Sequence, residues 1–437
     1  MKKIITLTII MLMMALIGCS EADTSEYLDE HYQQVTSDER QVEDTYINSE
    51  QNVDASPSAE KIVIITNPII YAEDEYLSAE ALVARFGQER VIHKTWPGWS
   101  GAGVTAREET INNILREISE NTEVKAVVLT ESTHRPSVNT YVVDALHHLR
   151  DDIFVVFVPS VHSERLDYAA GRVDLIIQTD MQRFGELFVI QAISMGVDTI
   201  VHYSSPLHRT VPAFAMRRDA MKFTAEREGI SFIDLDAPCF IGAMTLDILE
   251  RNLMYIAQDL PRQVEMLGVN TAFFGTACIY QSQIISQTIA TGAIFVSTCC
   301  SSPFHGYPEA LEVEYRVPTG EYDEFGSPII QRLDLSELIK VIDEAVYAAG
   351  MTGRVSSHAV SDNAMWTTIG FMYALEWLEG NVSQEHGIIN IENLARLARE
   401  FTLQLGIDAE VTLEIFNRDG ETIPHHILGD IGYHVFG

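Results

Sequence analysis

The residues best suited to chemistry stand just after short β-branched runs. Trp96 and Trp99 flank a Pro-Gly pair, and two flat aromatic faces held by a turn suit stacking on a sugar or base ring; the competing reading makes one or both a cap on a hydrophobic core. Glu131 stands near Arg135, and Asp180 near Arg183. Such pairs can hold a zwitterion or hydroxyls through directional hydrogen bonds, or form surface ion pairs of small worth. Asn67, Ser160, Ser204, Asp236 and Thr276 add amide, hydroxyl and carboxylate groups at corresponding positions. This set fits a small polar ligand.

Four cysteines, Cys239, Cys278, Cys299 and Cys300, all follow strands of the second half. Thiols gathered at one end of a sheet can form disulfides, with three pairings open, or remain buried as small hydrophobes. No Cys-x-x-Cys spacing supports a metal, so no metal and no cofactor are expected. No nucleophile elbow, phosphate-binding loop or zinc helix is found, which argues against an enzyme. The glycine run 98–103 lacks a following lysine and reads as a turn. The pairs His147-His148 and His425-His426 read as solvated surface residues.

The elements that must position these groups alternate. Strands are predicted over 61–66, 91–95, 124–130, 153–158 and 173–179, with helices over 78–86 and 139–149 and one opened by a capping box at Thr105-Ala-Arg-Glu108. After Asp180 the rhythm restarts: helix 183–195, strand 199–203, helix 213–228, strand 230–235, helix 245–259, strand 271–275, helix 280–291 and strand 293–297. Repeated strand-helix-strand units imply parallel sheets covered on both faces. The stretch 304–333 reads as a long loop, followed by helices 336–349, 362–378 and 391–405 and a strand over 411–416.

At the N-terminus, Lys2 and Lys3 precede an apolar run ending in Leu16-Ile17-Gly18-Cys19. The run is shorter than the ~20 residues of a spanning helix and has the parts of an export signal. The tetrad resembles the bacterial lipobox, which implies acylation (palmitate class) of Cys19 and attachment to the extracytoplasmic face of the cell membrane. Residues 20–60 carry twelve acids against Arg40 alone and no apolar period, the composition of a disordered acidic linker. The formal net charge is −34, and loss of Lys2 and Lys3 makes it more negative, so nucleic acid and anionic surfaces are poor partners.

Two consecutive α/β units behind an exported leader resemble the type I periplasmic binding proteins, most closely a group of uncharacterised bacterial lipoproteins said to share that fold. The likeness is carried by Val173-Asp-Leu-Ile-Ile-Gln-Thr-Asp180 through Met195-Gly196-Val197, and by Thr271-Ala-Phe-Phe-Gly-Thr276. It implies an α/β fold of two Rossmann-like lobes, with parallel sheets flanked by helices and hinged about a cleft. It also implies a substrate-binding protein that delivers a small polar molecule to an ABC permease. A signalling receptor module uses the same cleft, and an α/β enzyme with a cleft thiol is the third reading. The expected layout is signal 1–19, linker 20–60, first lobe 61–180, second lobe 181–352, a return segment 353–380 to the first lobe, and a C-terminal extension 381–437.

Overall fold

The computed structural model describes residues 60–69, 71–97, 104–132, 136–159, 169–206, 208–237, 246–322, 328–383, 385, 388–418 and 420–437. The first unit is β1 (Lys61–Thr66), α1 (Glu73–Phe86), β2 (Val91–Thr95), α2 (Val104–Glu120), β3 (Val124–Thr130), α3 (Pro136–Leu149), β4 (Phe154–Val158) and β5 (Leu175–Thr179). The second is α4 (Met181–Ser194), β6 (Thr199–Ser204), α5 (Pro212–Glu228), β7 (Ser231–Asp236), α6 (Leu246–Leu267), β8 (Thr271–Gly275) and α7 (Gln281–Thr291). Then come α8 (Tyr307–Leu311), β9 (Arg316–Tyr322), β10 (Pro328–Arg332), α9 (Leu335–Ala348), β11 (Ser356–His358), α10 (Asp362–Leu378), α11 (Ile391–Gln404), β12 (Val411–Arg418), β13 (Glu421–Ile431) and β14 (Tyr433–Val435).

Continuous apolar runs such as Phe154–Val158 are buried along their whole length, as strands covered on both faces must be. The first sheet has the order β12-β13-β5-β4-β3-β1-β2. Its strands are parallel except for the β12/β13 pair. The second sheet runs β7-β6-β8, all parallel. The two-lobed α/β fold implied by the resemblance is the one the chain adopts.

Several expectations are corrected. Residues 381–437 are no extension: β13 lies parallel to β5, with His426 opposite Ile176, and β12 closes that edge. The last strand, β14, pairs with β11. His426 is therefore buried at 2% exposure, whereas His147 and His148 are exposed. The strand expected over 293–297 shrinks to single bridges, Ala272 to Ile294 and Phe295 to Val355. Helix α2 is already formed at Val104, so Thr105 lies inside it rather than at its cap. Helix α6 continues through Pro261. The stretch read as a loop holds α8 and an antiparallel hairpin of β9 and β10.

Helix α10 is buried on nearly every side, from Ala364 to Leu375, which marks a core helix. It lies on the first sheet so closely that a Cβ on Gly370 would stand 3.0 Å from Val156. Trp366 of α10 fills the space beside β13, where a Cβ on Gly429 would collide with its ring. The Trp366 indole Nε1 donates to Thr179 Oγ1 at 3.0 Å.

In the second lobe α4 and α5 meet at Gly185, where a Cβ would strike the Arg217 carbonyl oxygen and stand 2.9 Å from Ala220 Cβ. Gly185→Ala should therefore lower stability by about 1–3 kcal/mol through overpacking, despite the better helix propensity of alanine. An unchanged midpoint in urea unfolding would show that the two helices separate freely.

Candidate functional site

In open parallel sheets a ligand site forms where the strand order reverses, outside the carboxyl ends of the strands. In the first sheet that reversal lies at β1, between β2 and β3. Asn67 follows β1 and Glu131 follows β3. Asn67 Nδ2 donates to the Glu131 carbonyl oxygen at 2.8 Å and to Glu75 Oε1 at 2.7 Å. The same Glu75 oxygen accepts from Asn67 N at 2.6 Å and Thr130 Oγ1 at 2.9 Å. Burial pushes the Glu75 carboxyl up to about 7, against these hydrogen bonds, which pull it down.

This corner forms one wall of a cleft of about 240 Å³. Its lining includes Asn67, Glu75, Glu131, Phe304, His305 and Asn363. Ser302 Oγ, also in the lining, donates to Asp74 Oδ2 at 2.8 Å. Two arginines at the ends of the hairpin hold the first turn of α1: Arg316 Nη2 reaches Glu73 at 2.7 Å and Arg332 Nη1 reaches Asp74 at 3.0 Å. The Arg332 guanidinium lies 3.9 Å from the centre of the Phe304 ring. A charged group over an aromatic face is held electrostatically, so Phe304 is fixed at the mouth.

The second sheet repeats the arrangement at β6, where Ser204 and Thr276 meet. Thr276 Oγ1 donates to Ser204 Oγ at 3.3 Å, and the His208 ring shares a 2.9 Å hydrogen bond with Thr276 Oγ1. All three are buried.

Other residues read from the sequence take different roles. Trp96 is not a stacking platform: it is 1% exposed, packs in the first-lobe core, and its Nε1 donates to the Thr130 carbonyl oxygen at 3.0 Å. Asp180 caps α4 by accepting from Arg183 N at 2.8 Å, while the Arg183 side chain pairs with Glu186 at 3.2 Å. Asp236, at the end of an edge strand, is largely exposed and pairs with Arg209 at 2.7 Å. Cys19, Trp99, Arg135, Ser160 and Cys239 lie outside the described residues.

The remaining cysteines are free thiols, not disulfides. The Sγ atoms stand 3.6 Å apart for Cys278 and Cys299, and 3.7 Å for Cys278 to Cys300 and for Cys299 to Cys300, against about 2.05 Å for a disulfide bond. Cys278 follows β8, and the other two follow the bridge segment beside it. His305 joins them, with one ligand atom from each residue and all within 4.8 Å of one another. Hydrogen bonds from Cys299 and Cys300 hold the Cys278 thiol well below its ordinary range, and those same contacts push Cys299 up.

Phe304 and His305 escaped the sequence reading because 304–333 looked like loop, and Ser302 because it stands several residues beyond the strand expected over 293–297. The available signal was His305 standing five positions after Cys300.

Among known proteins, a putative transcriptional regulator from Clostridium difficile 630 superposes with a TM-score of 0.70 at 15% identity, covering 87% of this chain and all of that one. A sugar ABC transporter from Actinomyces odontolyticus ATCC 17982 superposes with a TM-score of 0.44 at 11% identity, covering 75% and 86%. An uncharacterized protein of Treponema pallidum (strain Nichols) is 23% identical over 198 residues, 45% of this chain and 86% of that one. The family model described as Protein of unknown function (DUF3798) matches residues 61–356, and the chain belongs to that family.

Proposed function

We propose that the chain is a lipid-anchored, extracytoplasmic solute-binding protein that captures a small polar ligand and hands it to an ABC permease. The observation that carries this reading is the cleft at the strand-order reversal of the first sheet, faced by Ser302, Phe304 and His305. Its volume suits a ligand smaller than the usual drug-sized guest. Its lining supplies amides, carboxylates, an imidazole and the two aromatic rings of Tyr71 and Phe304, groups that match a ligand rich in hydroxyl or amino donors. The lipobox-like tetrad ending at Cys19 supports the anchor.

Hinge closure is the expected response to such a ligand, and the ion pairs from Arg316 and Arg332 to α1 are the contacts that would hold the closed form. Calorimetric titration of the full chain in detergent against sugars, nucleosides and amino acids tests the proposal. Saturable binding of one class, weakened by Asn67→Ala, is expected. A folded chain that binds none of the three would sink it.

A further inference from the structure

We propose that Cys278, Cys299, Cys300 and His305 form a tetrahedral site for one zinc-class ion, which fastens the end of β8 to the segment that walls the cleft. The proposal is independent of the solute's identity.

Geometry comes first. Three sulfurs on one zinc, at about 2.3 Å each, stand about 3.8 Å from one another. The observed separations of 3.6 and 3.7 Å are close to that figure. They are far too long for a disulfide. Cysteines on a [4Fe–4S] cluster each sit on a different iron, and an iron of a [2Fe–2S] cluster takes two at most, so three on one cluster would be spread more widely than these. An imidazole completes the set of four, with all four ligand atoms inside 4.8 Å. Three thiolates and one imidazole form a closed structural zinc set rather than an open catalytic one. Cys300 is exposed, which gives an ion a way in.

Charge is the second, independent observation. Arg217 is 0% exposed and lies 4.8 Å from the ring centres of Phe184 and Phe274 and 5.2 Å from that of Phe214. Its Nη1 donates to the Cys299 carbonyl oxygen at 2.7 Å, whereas its Nε and Nη2 find no hydrogen-bond partner among the described residues. No carboxylate there pairs with it either. A buried cation needs a counter-charge. Three thiolates around a divalent ion leave one net negative charge, and all three cysteines lie within electrostatic reach of Arg217.

The third observation is the Nδ1 of His305, buried without a hydrogen-bond partner among the described residues. A histidine that ligates through one nitrogen uses the other to fix its orientation, so one bond from this ring to an ion accounts for its place in the cluster. Cys278 belongs to the end of β8, and Cys299 to His305 form the turn that carries Ser302 and Phe304 to the cleft. One ion would therefore join two segments whose strand pairing, among the described residues, is the single Ala272–Ile294 bridge.

The test is metal analysis of the full chain purified in detergent under reducing conditions, then equilibrated with zinc and passed through a desalting column. One zinc per chain should remain, with three thiols shielded from alkylation until a chelator is added. Cobalt in place of zinc should give the intense visible bands of a tetrahedral thiolate complex. His305→Ala and Cys300→Ser should weaken zinc binding by more than about 100-fold, the upper range for losing a mere outer-shell partner, and His305→Cys should restore it. A folded chain that retains no zinc, zinc that His305→Ala and Cys300→Ser leave undisturbed, or a disulfide among the three under reducing conditions would each overturn the proposal.

Discussion

Trp366→Ala should lower the unfolding free energy by about 3–5 kcal/mol, the usual cost of emptying a large aromatic site in a core. Trp366 is 1% exposed, and its ring lies against Gly429 of β13 while its indole nitrogen bonds to Thr179 of β5. It thus packs where an early strand and a late one meet. Truncation removes both the packing and one donor to Thr179, whose hydroxyl donates to Asp362 Oδ2 at 2.6 Å. Urea unfolding followed by near-ultraviolet circular dichroism reads the effect. A loss under about 1 kcal/mol, well below the usual cost of removing a buried aromatic ring, would mean that the site collapses around the cavity.

Glu75 should separate two effects of one carboxylate. Glu75→Leu removes the oxygen on which Asn67 N, Asn67 Nδ2 and Thr130 Oγ1 converge. A buried donor left without its acceptor costs about 1–3 kcal/mol; since Asn67 Nδ2 keeps the Glu131 carbonyl oxygen and Thr130 Oγ1 that of Ile65, a total of about 1–3 kcal/mol is expected, together with loss of ligand binding. Glu75→Gln keeps an acceptor oxygen and should fold well.

The glutamine variant has a further signature. The Glu75 carboxyl is raised by burial from 4.5 to about 7, so the folded chain holds that proton more tightly than the unfolded one. The resulting stability is complete below the unfolded value and is lost as pH rises through about 7, a difference of up to about 3 kcal/mol. Glu75→Gln should therefore flatten part of the decline between about pH 4.5 and pH 7. Asp362 and Asp430 are also raised by burial to about 7, so the rest of the slope should remain. An identical slope in wild type and variant would show that Glu75 does not titrate in this window.

Most of the parallel strands were legible as apolar runs too short for a helix and bounded by polar residues, as at 154–158 and 271–275. Asn67 and Glu131 were legible for the same reason: once the strands are placed, topology puts the residues after them at the cleft. Trp96 misled because a tryptophan next to Pro-Gly looks exposed, and only the Thr130 carbonyl, far away in sequence, shows where its ring goes. The C-terminal strands were obscured by polar residues such as His425, His426 and Asp430 in β13. His426 and Asp430 are buried by tertiary packing that no local pattern records. The thiol and imidazole convergence was hidden likewise, since Cys278 and Cys299 lie 21 positions apart and meet only through the second sheet.

The pairing of β13 with β5 carries a consequence for biogenesis. His425 bonds to the Ala170 carbonyl oxygen at 2.6 Å across 255 residues. A ribosome therefore delivers five strands of the first lobe long before their sixth and seventh neighbours exist. Until then the β5 side is a bare template, the kind of edge that invites mispairing between nascent chains. A premature stop between residues 357 and 410 should thus yield material that aggregates or is degraded, even though it would keep the whole of the family-matched region.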